Sequence, residues 1–527
     1  MGRPETSRGF TAPSAMLNRP ESRTPEVCEC GRRQSHGICG FIGGRGGIRL
    51  GGLTNLDYIK LAGVGPIFFI LGPALGFLLT GKPRAQLWVF GIMCFMTING
   101  LLAPGNWGLT LMSIEEYRGH TKGFHFYFNH ALAIALIVAK WRDDRRSFRW
   151  IPPGLGWYLL YCGLSLLSLT NAPEPYLGFM AAHKQIFASL ITIATFNTLR
   201  TEADFRFFMR AMVVTLAWEL LVCIKMKYGQ GMYQVHGTFE HQNPLAMYAE
   251  LIGMVFLATT LGPTFKGANW ILFGYLMTGI IVEFTLSRGA LVMFGLGTVM
   301  VATISLAEKL TPRRIICISS MAVIGGLGLL LTLDTIIARF NDKGNDSSGE
   351  LREVMKTACR AMVSDHPLGI GWNNYALVVN PPYPYAEIYY EWIRGLGQKV
   401  DETLPNSVVE SHYYLLLAET GYVGLFSWLA VISIGLYRNV RAFFFFKHSF
   451  LRCLSLGIFV GCLLNYEQST LERVLVQPRN LMLWLVLLGI TGRIEIMRRE
   501  AKAARKAGLD PATGELPEPT ETPALPA

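Results

Sequence analysis

Three side chains combine a reactive or phosphate-gripping group with a position at an apolar boundary: His412, Arg288 and Arg352. His412 follows Ser411 where a long polar stretch gives way to an apolar run, so its imidazole is expected at a water–lipid boundary. An imidazole titrates near neutrality and can take a proton from an attacking hydroxyl. Arg288 lies in Thr285-Leu286-Ser287-Arg288-Gly289-Ala290, between two apolar runs. An arginine there is costly unless it snorkels, pairs or faces a polar cavity. Arg352 opens Leu351-Arg352-Glu353-Val354-Met355-Lys356, whose apolar spacing predicts a short amphipathic helix after a polar turn over 341–349. A guanidinium fork can grip a phosphate or a carboxylate in bidentate geometry and keeps its charge. Each residue also has a plainer reading: a snorkelling Arg288, an Arg352 solvated and paired with Glu350 or Glu353, and an interfacial His412 satisfied by backbone.

Further residues stand around these three. Glu419 follows His412 by seven positions, two turns along the same helix face. It either orients His412 or bonds a neighbouring helix. Gly237 to Ala246 reads as a turn entering an apolar run, with Pro244 as a first-turn residue. Within it, Asn243 is expected to cap the helix, and His241 stands beside it. Trp372, Tyr375 and the aromatics from Tyr383 to Trp392 suit either stacking on sugar rings or an interfacial belt. Cys28, Cys30 and Cys39, with His36 between, have poor spacing for zinc and are expected in a disordered leader. No Asp-x-Asp pair lies on an outer loop, so no metal and no cofactor is called for.

The elements that position these groups are read as membrane helices. With 51% hydrophobic and only 16% charged residues, the chain is far less charged than a soluble domain, in which roughly a quarter of residues are charged. The net charge of +11 does not argue for nucleic acid, because Lys and Arg collect in short loops beside apolar runs. Runs of bilayer length fall at 58–80, 87–104, 124–140, 155–171, 184–199, 207–227, 244–262, 269–286, 289–307, 315–333, 412–437, 450–466 and 480–496. Basic loops at 140–146, 309–314, 438–452 and 493–506 fall on one side, taken as cytoplasmic, which puts 335–411 outside. The expected organisation is a disordered Arg/Gly-rich leader (1–50), a membrane bundle (51–334), a large extracytoplasmic loop (335–411), C-terminal spans (412–498) and a disordered cytoplasmic tail (499–527). Thirteen spans would put the Arg-rich leader outside, against the charge rule, and twelve would bring it in.

The string SGELREVMKTACRAMVSDHPLGIGWNNY, followed by ESHYYLLLAETGYVGLF, resembles the large loop of the O-antigen ligase and polymerase superfamily of bacterial envelope proteins. The matching residues are Arg352, Pro367, Gly369, Gly371, Ser411, His412, Glu419, Gly421 and Gly424. Tyr413 stands where the family most often has Asn. The Ser287-Arg288-Gly289 turn resembles the family's outer arginine, and Gly237 to Asn243 its Gly-x-Phe-x-(His)-x-Asn motif. The likeness runs from about residue 230 onward.

The resemblance implies an all-α polytopic membrane protein with a GT-C-type helical bundle and a large extracytoplasmic helical loop. It implies transfer of a glycan from an undecaprenyl-pyrophosphate donor to an acceptor hydroxyl, inverting and metal-independent. His412 would be catalytic, Arg288 and Arg352 would grip the donor, and His241, Asn243 and Glu419 would contact substrate. The acceptor, whether lipid A core, a glycan repeat or a protein, stays open. The implied place is the bacterial inner membrane, with the site facing the periplasm and membrane lipids around it. A polytopic transporter is the alternative of a different class; Glu219, Lys225 and Glu283 are embedded, but no internal repeat is visible.

Overall fold

Apolar runs of bilayer length must satisfy their backbone groups internally, and helices do so. A computed structural model of the chain describes residues 61–63, 65–98, 108–114, 116–263, 268–308, 310–340 and 344–507. Its helices are α1 (Gly72–Leu79, entered through a π-helical turn, Ile67–Leu71), α2 (Pro83–Phe95), α3 (Phe128–Asp143), α4 (Leu155–Ser165), α5 (Pro175–Thr198), α6 (Glu202–Ile224), α7 (Gln242–Thr260), α8 (Ala268–Thr285) and α9 (Arg288–Glu308). They continue with α10 (Pro312–Phe340), α11 (Gly344–Asp365), α12 (Tyr375–Val378), α13 (Ala386–Gly395), α14 (His412–Phe445), α15 (Phe450–Gln468) and α16 (Pro478–Lys506). Eight described helices are long and apolar enough to cross a membrane, so the all-α polytopic expectation holds.

Each apolar run overlaps a described helix, but at 87–104, 124–140, 155–171, 244–262 and 315–333 no described helix is both long and apolar enough to count as a span, and 58–60 and 99–104 lie outside the described residues. The run 124–140 begins in strand: Phe124–Tyr127 (β2) pairs antiparallel with Gly108–Leu111 (β1), and the helix starts only at Phe128. Alternating Phe-His-Phe-Tyr favours the extended form locally. The run 184–199 belongs to a longer helix that starts at Pro175, a residue suited to a first turn. This places Lys184 in mid-helix, 2% exposed. The polar turn expected over 341–349 is absent from 344 on, since α11 runs from Gly344 to Asp365 as a 22-residue helix. Residues 1–60, which include the Arg-rich leader with Cys28, Cys30, His36 and Cys39, lie outside the described residues.

The segment from α11 to α13 carries its own apolar cluster. Met355, Cys359, Met362, Tyr375, Val378 and Tyr389 are buried there with Leu415 and Ala418 of α14. Trp372 and Tyr375 are at most 1% exposed, so they serve as core rather than as sugar platforms. The segment is joined to α14 backbone to backbone. Ile370 N–H donates to Ala418 O (3.0 Å), Gly371 N–H to Glu419 O (3.1 Å) and Tyr422 N–H to Pro367 O (3.1 Å). Helix α14 breaks at Gly421 (φ 63°, ψ −166°), a conformation open essentially to glycine alone. A Cβ on Gly421 would strike Pro367 O, and one on Gly369 (φ 90°) would strike Glu419 O. Thus Pro367-x-Gly369-x-Gly371 and Glu419-x-Gly421 are two halves of one crossing.

Candidate functional site

The turn from Ser469 to Gln477, between α15 and α16, gathers most of the candidate residues. Its first residue is tied to the start of α14, where His412 N–H donates to Ser469 O (3.0 Å). Its far end is held by Lys184, whose Nζ donates to Val476 O (3.0 Å). Between these ties, Val474, Leu475 and Val476 are buried. Glu472 and Arg473 are therefore presented on a short, pinned piece of backbone.

Arg352 reaches this turn from α11. Its Nε donates to Glu410 Oε2 (2.7 Å), and its Nη2 lies 3.7 Å from Glu472 Oε1. The expected pairing with Glu350 or Glu353 is replaced by this longer-range one. Glu472 Oε1 also accepts from Asn243 Nδ2 (2.6 Å). His241, not Asn243, caps α7: its Nδ1 accepts from Asn243 N–H (3.4 Å). The side chain of Asn243 is thereby free to reach across to Glu472. Burial, reinforced by Glu410, pushes the Glu472 carboxyl up to about 7, against the opposing pull of Arg352. A small pocket, open to solvent, is lined by Arg352, Lys356, Glu410, Ser411 and Thr470.

His412 is 3% exposed, so it is buried rather than set at an interface. Its ring meets Trp428 edge-on, with centroids 5.4 Å apart, and Tyr413 at 5.9 Å. Neither ring nitrogen has a hydrogen-bond partner among the described residues. The backbone thus leaves the imidazole unsatisfied, and a substrate hydroxyl or a water would supply what it lacks.

Glu419 does not orient His412 by a hydrogen bond. Its Oε2 lies 3.1 Å from His120 Nε2, and its Oε1 accepts from Tyr375 N–H (3.3 Å). His120 Nδ1 in turn is 3.4 Å from Lys184 Nζ, which also donates to His120 O (3.1 Å). An ammonium at Nδ1 and a carboxylate at Nε2 favour the neutral imidazole that carries its proton on Nε2. Burial lowers the pKa of His120 against the opposing pull of Glu419.

Arg288 is half-buried at the first position of α9. A Cβ on its neighbour Gly289 would lie 3.5 Å from Gln468 Nε2, at the last residue of α15. That brings the start of α9 beside the root of the Ser469–Gln477 turn.

Sequence reading missed His120, Lys184, Glu472 and Arg473. Lys184 carried a signal, a lysine inside an apolar run. Glu472 and Arg473 looked like ordinary loop charges, and His120 had no local signature.

These features define a polytopic helical membrane protein whose buried carboxylates, guanidinia and imidazoles gather where interhelical turns meet one end of α14. Residues 273–429 match the O-antigen ligase family, so this stretch is similar to the O-antigen ligase and polymerase superfamily and supports that assignment. The matched stretch includes Arg288, Arg352, His412 and Glu419. It ends before the Ser469–Gln477 turn and begins after His241 and Asn243. No curated protein matches the chain.

Proposed function

We propose that this protein is a membrane glycosyltransferase that moves a glycan from undecaprenyl pyrophosphate to an acceptor hydroxyl, on the periplasmic side of the inner membrane. The acceptor oxygen attacks the anomeric carbon and forms the new C–O bond as the bond from that carbon to the pyrophosphate breaks. Configuration inverts, the acceptor proton passes to His412, and undecaprenyl pyrophosphate leaves with the bonding electrons. Arg288 and Arg352 grip the pyrophosphate and answer the charge that grows on it, work a metal does in other transferases. His241 and Asn243 hold the Glu472 side of the site, and Glu419 is kept in place by His120.

The observation that carries this reading is the convergence of Arg352, Asn243 and His412 on one turn, with the His412 nitrogens left unpartnered. A carrier would collect its ionisable groups at mid-membrane. Here the embedded Glu219 accepts from Thr238 N–H and Oγ1–H (2.7 and 2.9 Å) on the turn before α7. Lys184 likewise bonds loop residues, which supports an enzyme over a transporter.

The test is transfer in membranes that contain a lipid-linked glycan, offered purified lipid A core, glycan repeat units and protein acceptors in turn, with and without EDTA. Glycan should appear on one acceptor class at a rate that chelation leaves unchanged. Movement of the intact lipid-linked glycan across the membrane, with no transfer to any acceptor, would establish the carrier instead. Loss of transfer on chelation, restored by magnesium, would overturn metal independence.

A further inference from the structure

We infer that Arg473 is a third phosphate-gripping side chain of the donor site, working beside Arg352; the inference rests on the glycosyl-transfer reading above and adds a residue to it.

The starting point is how the nearby cations are employed. Arg352 is committed: its Nε is bonded to Glu410, and its Nη2 faces Glu472. Lys184 is committed to His120 and to Val476 O. Arg473 is placed differently. It faces Glu410, Glu419, Glu472 and Tyr375 electrostatically, yet its Nη1 is buried without a hydrogen-bond partner among the described residues. A buried guanidinium N–H left open is costly, and groups of this kind are filled by water, an ion or a ligand.

Its backbone is fixed in advance. The turn is tied to His412 at Ser469 and to Lys184 at Val476, and Val474 to Val476 anchor it in the apolar interior. Arg473 is thereby held within electrostatic reach of Glu410, two residues before His412, and of Glu419, seven after it. A guanidinium held there is preorganised toward whatever reacts at His412, and it loses little entropy on gripping an anion.

The carboxylates supply a second reason. For Arg352 to take a phosphate, Glu410 and Glu472 must give up part of its fork. Arg473 faces both and can hold their charge meanwhile, so the two arginines can divide two phosphates and two carboxylates without leaving a buried charge unanswered. The ligand chemistry that fits is a diphosphate ester with a lipid tail, whose anionic end alone needs two forks.

The full chain in detergent is titrated with undecaprenyl diphosphate, and with undecaprenol as the phosphate-free control, for wild type, Arg473→Gln, Arg473→Lys and Arg352→Lys. Wild type is expected to prefer the diphosphate. Arg473→Gln should weaken diphosphate binding roughly 100-fold, with undecaprenol binding unchanged, as for the loss of other preorganised charge-stabilising donors. Arg473→Lys keeps the charge over the three carboxylates and hence the fold, and should still lose about tenfold because the fork is gone. Diphosphate affinity in Arg473→Lys equal to wild type would overturn the inference and reduce Arg473 to an ion partner for the glutamates, whether or not the Gln variant folds. Wild type that binds the diphosphate no better than undecaprenol would overturn the donor reading itself, and the inference with it.

Discussion

Replacing His412 by leucine separates its chemistry from its packing. The imidazole is buried, and both nitrogens are unpartnered among the described residues. A buried polar group without a partner costs about 1–3 kcal/mol, a penalty that an apolar side chain does not carry. The edge-on contact with Trp428 is lost in the variant, a loss of about 0.5–1.5 kcal/mol. The balance for His412→Leu runs from a loss of about 0.5 kcal/mol to a gain of about 2.5 kcal/mol in stability. Turnover moves the other way. Positioned proton transfer is worth about 100-fold or more, so glycan transfer per folded molecule should fall by at least that factor. The assay is transfer from the lipid-linked donor, normalised to monodisperse protein, alongside thermal unfolding in the same detergent. A variant that keeps turnover within about threefold of wild type removes His412 from the reaction. A variant that unfolds by more than about 2 kcal/mol, with activity falling only in step with the folded fraction, makes His412 a packing residue and refutes the reasoning from its open nitrogens.

Arg288→Lys and Arg352→Lys keep the charge and lose the fork, so each should cut transfer about 100-fold, a loss of about 3 kcal/mol of transition-state stabilisation, at unchanged protein level; near-normal turnover makes both interfacial anchors. Gly421→Ala places a Cβ against Pro367 O at φ 63° and should destabilise by at least about 1–3 kcal/mol, seen as earlier proteolysis between α11 and α13; equal protease resistance would mean that the crossing is not the tie described. Folding lifts the Glu472 carboxyl from 4.5 to about 7, so the native state holds a proton that the unfolded chain releases. Stability should therefore fall as pH rises from about 4.5 to 7 and level off above, and Glu472→Gln should flatten that slope; an unchanged slope in the variant assigns it to other groups. A reporter fused near residue 380 should be periplasmic and one near residue 505 cytoplasmic; finding both on one side would reverse the proposed orientation.

Helix existence was legible because each apolar run is long and must close its own backbone bonds, so a run at 269–286 could only become α8, Ala268–Thr285. What was illegible is where competing local preferences decide an edge. Phe124–Tyr127 reads as the start of an apolar run, yet its aromatic alternation pairs with Gly108–Leu111. Asn345 to Ser348 are turn formers by type, yet they lie within α11. The bilayer dictates that backbone be helical inside it, and it places no such demand on residues beyond its surface.

The site divides along a similar line. Motif residues were legible as a set, but their roles were not, because a motif records spacing along the chain while a role depends on what approaches from elsewhere. Gly369 lies far in sequence from Glu419 and Gly421, yet together they form one backbone crossing, and the Glu419 carboxylate there meets His120. Some partners of Arg352 and His412 lie within the matched stretch, Glu410 and Trp428 among them, while Ser469 and Glu472 come from after it, and Asn243, which bonds Glu472, comes from before it. In a bundle, a polar turn between two spans has no periodic signal of its own, so Glu472-Arg473 looks like any hydrophilic connector. Its meaning comes from burial, since a connector that is drawn down among Glu410, Glu419 and Lys184 must have its charges answered there. Charged residues in short interhelical turns that follow a motif are therefore the place to look for the missing half of such a site.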